Sequence, residues 1–212
     1  MKKIDLLYLI VVIFYLISGL IKWDMTTIFA CVLSLIFMVI TIVIGKKIGF
    51  GNGIKILIYV FILSTEILGE IYHFYVDVWW FDIVMHTYFS FVISYVGLYL
   101  IRYFNIKKSI YFVILFIFSF AMMTESVWEI FEFSMDRVIG TDMQKDTVIR
   151  NISSTYLSHD IYVDKVMVND IDFMDRYGGY LDIGLYDTIG DMICTVVGSF
   201  IFIVIMKKRL NC

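Results

Sequence analysis

Carboxylates and imidazoles recur in this chain at the spacing of a helix face. Glu66, Glu70, His73 and Asp77 stand at offsets 0, 4, 7 and 11, and Glu125, Glu129, Glu132 and Asp136 repeat those offsets. At about 100° per residue on an α-helix such a set forms one stripe. Two further pairs, Asp82 with His86 and Asp187 with Asp191, are separated by four residues and also share a helix face. Hard oxygen donors joined by one or two imidazoles suit zinc, iron, manganese or magnesium. Glu70 and His73 have the three-residue separation that carboxylate-bridged metal sites use in helical bundles. The expected metal ligands are therefore Glu70, His73, Asp82, His86, Glu129, Glu132, Asp187 and Asp191. For catalysis the candidates are His86, Glu129 and Asp187, with His86 or Glu129 as general base and a divalent ion polarising a phosphoryl or acyl oxygen.

What must position these residues is a membrane bundle. Of 212 residues 61% are hydrophobic and 18% aromatic, more apolar surface than a soluble domain of this size can hide. Six largely apolar runs, 4–21, 25–44, 56–76, 83–101, 109–135 and 184–206, are each long enough to cross about 30 Å of hydrocarbon as a helix. The fold class is an all-α, polytopic membrane helix bundle of about six transmembrane helices, with residues 1–212 as a single membrane domain. Lys2 and Lys3 ahead of an apolar run imitate a signal peptide, but Ile17-Ser18-Gly19 is a poor cleavage site, so the run reads as a retained first helix.

The bases give the orientation. Lys2, Lys3, Lys46, Lys47, Lys55, Arg102, Lys107, Lys108, Lys207, Lys208 and Arg209 fall on one side of the six runs, with Asp5 as their sole acidic companion. The positive-inside rule makes that side the cytoplasm, with both termini in it. The acidic and histidine residues then gather in the outer halves of their helices. A carboxylate there costs at least a few kcal/mol if left bare. No lysine or arginine lies in these runs to neutralise it, so three readings stay open: a bound cation, a proton-sharing or water-filled cluster, and side chains snorkelling to the interface. Trp79, Trp80 and Phe81 read as an aromatic belt. Cys31, Cys194 and Cys212 imply no disulfide framework.

The third and fifth runs look like copies. Thr65 to Asp77 set against Thr124 to Asp136 gives six identities in thirteen positions, with the shared pattern T-E-x-x-x-E-x-x-[HE]-x-x-x-D. The match continues from Phe81-Asp82 and His86 to Tyr186-Asp187 and Asp191. A duplicated helical hairpin follows, the second copy carrying an extracytoplasmic insertion over 137–182 that can hold a small hairpin or act as a lid. Both copies run in the same direction, so their half-sites should face one another across an axis along the membrane normal.

Trp80-Phe81-Asp82-Ile83-Val84-Met85-His86, Trp128-Glu129-Ile130-Phe131-Glu132 and Tyr186-Asp187-Thr188-Ile189-Gly190-Asp191-Met192 together resemble the D-x-x-x-H, E-x-x-E and D-T-x-x-D-M pattern of the bacterial YjdF family of inner-membrane proteins. The order of motifs is more distantly similar to VanZ-like proteins. The first resemblance implies no established reaction. The second, through its association with glycopeptide resistance, implies envelope lipids or glycans. The expected function is a metal-dependent enzyme or binding protein acting on membrane lipid or a lipid-linked envelope precursor, with no nucleic-acid partner. The alternatives are a proton- or cation-coupled transporter, and a structural or partner-binding membrane protein. The lack of proline, which transporters often use to break helices, and the apolar inner halves weigh against transport.

Overall fold

The computed structural model describes residues 3–105, 109–154, 158–182 and 184–210. Lys2, Lys107, Lys108 and Cys212, which entered the reading of topology and thiols, lie outside them. Among the described residues, five helices are long and apolar enough to cross a membrane: α1 (Lys3–Lys22), α2 (Met25–Ile48), α5 (Phe81–Tyr103), α6 (Ile110–Val138) and α8 (Leu185–Met206). The sixth expected run is helical too, but of two kinds. It starts as α3 (Asn52–Leu63) and passes directly into a π-helix, Ser64–Ile71.

That change of winding corrects the sequence reading. A π-helix closes its hydrogen bonds five residues apart rather than four, so a stripe drawn for an α-helix drifts off its face. Glu66 is buried, whereas Glu70 and His73 are exposed. Beyond Ile71 the chain breaks. His73 takes a left-handed conformation at φ 56°, and a single turn, α4 (Phe74–Asp77), follows. In the other copy α6 stays α-helical throughout, and Glu125, Glu129 and Glu132 are all buried. The two copies share letters without sharing geometry.

Packing follows the rules of a lipid solvent, where apolar side chains gain little by leaving hydrocarbon and small or polar residues line helix contacts. Phe14, Phe29, Val43, Phe200 and Ile205 face outward. Thr27, Ser34 and Thr41 of α2 are buried, and Tyr8 of α1 donates to the Ser34 carbonyl at 3.0 Å. One apolar core joins Leu98 and Ile101 of α5, Val113 and Ile117 of α6, and Phe202 and Met206 of α8. Above it on α5 and α8 lie hydroxyls: Ser90 donates to the Thr195 carbonyl at 2.7 Å, and Gly198 brings its backbone so near Thr87 that a Cβ would strike the Thr87 carbonyl.

Lys55, counted on the same side as Asp5, is buried on α3 and paired with that acid at 3.0 Å. One residue sits where the sequence did not put it. Phe81, assigned to the aromatic belt with Trp79 and Trp80, is buried against the rings of Phe74 and Tyr75, while both tryptophans are exposed. Neither Cys31, which is buried, nor Cys194, which is partly buried, takes part in a disulfide.

The chain divides into two compact units, Met1–Glu125 with Ile193–Cys212, and Ser126–Met192. The second contains the expected insertion. Three antiparallel pairs build it: β1 (Thr147–Ile149) with β6 (Tyr180–Asp182), β2 (Asn151–Ser154) with β3 (Ser158–Tyr162), and β4 (Met167–Val168) with β5 (Ile171–Asp172). A short helix, α7 (Phe173–Tyr177), capped by Asp172 and ended by Gly178 at φ 69°, leads into β6. Gly179 is needed opposite Ile149, whose carbonyl would meet any Cβ there. The insertion thus holds nested hairpins in place of an irregular loop.

Candidate functional site

In the first unit the structure brings together Asp82, His86 and Glu125. Asp82 lies in the first turn of α5 and His86 one turn later, with Nε2 of His86 3.5 Å from Oδ1 of Asp82. The opposite ring nitrogen, Nδ1, is 2.6 Å from Oε1 of Glu125 on α6. His86 is buried and Glu125 has no exposed surface. An imidazole held at both nitrogens by carboxylates is fixed in orientation. Neutral, it donates to one and accepts from the other only if that carboxyl is protonated; charged, it donates to both. Proton count and charge in this trio are therefore linked.

The second oxygen of Glu125, Oε2, is buried with no hydrogen-bond partner among the described residues. A buried carboxylate oxygen left unsatisfied costs of order 1–3 kcal/mol or more, and in a helix bundle it marks a place for a cation, a proton or a water. The residues fit a divalent ion by chemistry: two carboxylates and an imidazole are hard or borderline donors.

Of the candidates from sequence, Glu70 and His73 are exposed and join no such group. Glu129 is buried one helical turn beyond Glu125 on the unbroken α6, and Asp191 is buried on α8. Glu132 is buried and accepts from Trp128 Nε1 at 2.8 Å, which gives that carboxylate a local structural role. Asp187 accepts the Lys145 backbone N–H at 2.9 Å, beside Gln144, which donates to Thr188 at 2.8 Å. Asp187 thus anchors the segment before β1 to the start of α8. Asp136 does likewise for the turn after α6, accepting from Thr141, Met143 and Gln144.

Glu125 was missing from the sequence shortlist although it opens the second stripe. Its signal was the repeat itself, where Thr124-Glu125 answers Thr65-Glu66. The threonines of both copies bond back to the preceding turn, Thr65 to the Phe61 and Ile62 carbonyls and Thr124 to the Phe120 carbonyl at 2.8 Å. They hold helix carbonyls and leave the chemistry to the glutamates.

No curated protein and no solved structure matches the chain. Over residues 4–211 it does match the family model described as "Predicted membrane protein (DUF2238)", the family to which YjdF also belongs. A match over nearly its whole length, with several apolar spans, places the chain in this DUF2238 family of predicted membrane proteins.

Proposed function

We propose that Asp82, His86 and Glu125 form the core of a divalent-cation site in a membrane-embedded enzyme or binding protein that acts on lipid or lipid-linked headgroups of the cell envelope. The observation that carries this reading is Glu125: fully buried, one oxygen 2.6 Å from His86 and the other without a partner. An ion of the zinc, iron, manganese or magnesium kind would satisfy that oxygen and polarise a phosphoryl or acyl oxygen of the substrate. From the sequence repeat, Glu129 and Asp191 are assigned as further ligands or, for Glu129, as general base. Asp187 becomes a positioning residue, because its carboxylate already holds the Lys145 backbone. Envelope lipids as substrate rest on the VanZ-like order of motifs.

Elemental analysis of the purified protein is the test. The parent should carry about one equivalent of metal, and Glu125→Gln should lose most of it, since an amide binds a hard cation less well than a carboxylate. A folded parent with no bound metal, and with the same thermal midpoint in chelator and in added Zn²⁺, Mn²⁺ or Mg²⁺, would rule the site out.

A second reading has its own support. Because His86 bridges two carboxylates, the trio can also pass a proton, as a proton-coupled transporter needs. Under that reading Glu125→Gln changes the pH dependence of stability with no response to metal.

A further inference from the structure

Glu66 is a second buried carboxylate, and nothing in the Asp82–His86–Glu125 trio uses it. It lies near the start of the π-helical segment with 8% of its surface exposed. It has no hydrogen-bond partner among the described residues. The ionisable groups in electrostatic reach are Tyr8 on α1, Cys31 on α2 and Glu70 on its own segment. Among the described residues, α3, α4 and α5, which also pack against the segment, add no further charge acting on Glu66. Every neighbour is thus neutral or an acid.

Aromatic contacts mark the far end of the same segment. Tyr15 of α1 and Tyr72 share a hydroxyl–hydroxyl hydrogen bond at 3.2 Å, and the Tyr75 ring folds over Gly69, where a Cβ would collide with it. Counted from Asn52, Glu66 stands roughly 20 Å along the helix, about two thirds of the way across a 30 Å hydrocarbon layer. A lone carboxylate at that depth, without a cation or a donor, cannot stay ionised cheaply. Winding supplies a reason for its placement, since π segments interrupt α-helices mainly where a side chain has a task.

We propose that Glu66 is a proton-binding site: a carboxylic acid held neutral between α1, α2 and the π-helical segment, which exchanges its proton with the medium. It stands apart from the metal reading, so failure of either leaves the other intact.

The experiment uses a hydrophobic carbodiimide on the whole protein in detergent, read by peptide mass mapping. A neutral carboxylic acid gives its proton to one carbodiimide nitrogen while its oxygen adds to the central carbon. The acyl group then migrates to nitrogen, and the adduct gains the mass of one reagent molecule with nothing lost. A carboxylate has no proton to give, so Glu66 should be labelled at pH 6 and labelled more slowly above its titration, by about tenfold per pH unit. Glu66→Gln should remove that adduct and leave the thermal midpoint at pH 6 unchanged, because a neutral isostere replaces a neutral acid. Two outcomes overturn the proposal. One is a Glu66 that neither dicyclohexylcarbodiimide nor the smaller diisopropylcarbodiimide labels at pH 6, or labels without pH dependence. The other is a Glu66→Gln protein that loses stability at pH 6, as removal of a paired, charged carboxylate would cause.

Discussion

The Asp5 carboxylate and the Lys55 ammonium meet at 3.0 Å with both side chains buried, joining the start of α1 to α3. Tyr59, one turn beyond Lys55, donates to the same Asp5 oxygen at 2.9 Å and stacks on Tyr8 with ring centroids 4.4 Å apart. Removing one partner of a buried pair strands the other, at about 3–5 kcal/mol, whereas apolar replacement of both can be neutral. Asp5→Asn or Lys55→Met alone should therefore lower the thermal midpoint sharply, and Asp5→Leu with Lys55→Met should recover most of the loss. Additive losses in the double variant would show that the two side chains act separately.

Gly198 tests the contact between α5 and α8. An alanine there drives its methyl into the Thr87 carbonyl and within about 3 Å of Ser90 Cβ, an overpacking that typically costs about 1–3 kcal/mol. Gly190, on the same helix, has open space where its Cβ would be. Gly190→Ala should be neutral or stabilising by up to about 1 kcal/mol. Equal midpoints for the two variants in thermal denaturation would contradict the tight crossing.

The second unit should respond to pH through Asp146. Burial and the neighbouring Asp142, Asp182 and Asp136 carboxylates push its pKa above the ordinary aspartate value. Below both values the acid is protonated folded or unfolded and contributes nothing. As pH rises past the ordinary value, the unfolded chain releases the proton first, and the folded state loses stability until the raised value is passed. Proteolysis within 142–182 should accordingly speed up across that window, and Asp146→Asn should flatten the profile. An unchanged profile in the variant would assign the effect elsewhere.

Orientation is open to a direct assay. Reporters fused after Lys108 and Arg209 should act as cytoplasmic, and one near Ser154 as extracytoplasmic, following the distribution of bases. A cytoplasmic signal at Ser154 would invert the topology and move the proposed site to the other leaflet.

The six runs were legible because length and apolarity decide what crosses a bilayer, and the boundaries found for α1, α2, α5, α6 and α8 differ from the expected ones by a few residues at most. His86 and Asp82 were legible as an i, i+4 pair. The partner, Glu125, needed the packing of α5 on α6, which periodicity does not give. Lys55 and Asp5 were legible as companions on one side of the runs, but not as a buried pair, because they stand 50 residues apart in sequence. The π-helical winding left no mark in composition: Ser64 to Ile71 reads as an ordinary amphipathic turn, and so Glu70 and His73 were put on a face they do not occupy.

That winding has a consequence for the ancestry of the two hairpins. A π segment spreads its residues over wider turns than an α-helix does, so matched residues in the same order can face differently while the helix stays intact. Glu66 and Glu125 descend from one position under the duplication, yet one turns toward α1 and α2 and the other toward His86. The thirteen matched positions align without a gap, so a change of winding alone, with no residue gained or lost, sets two equal stretches of sequence to different work.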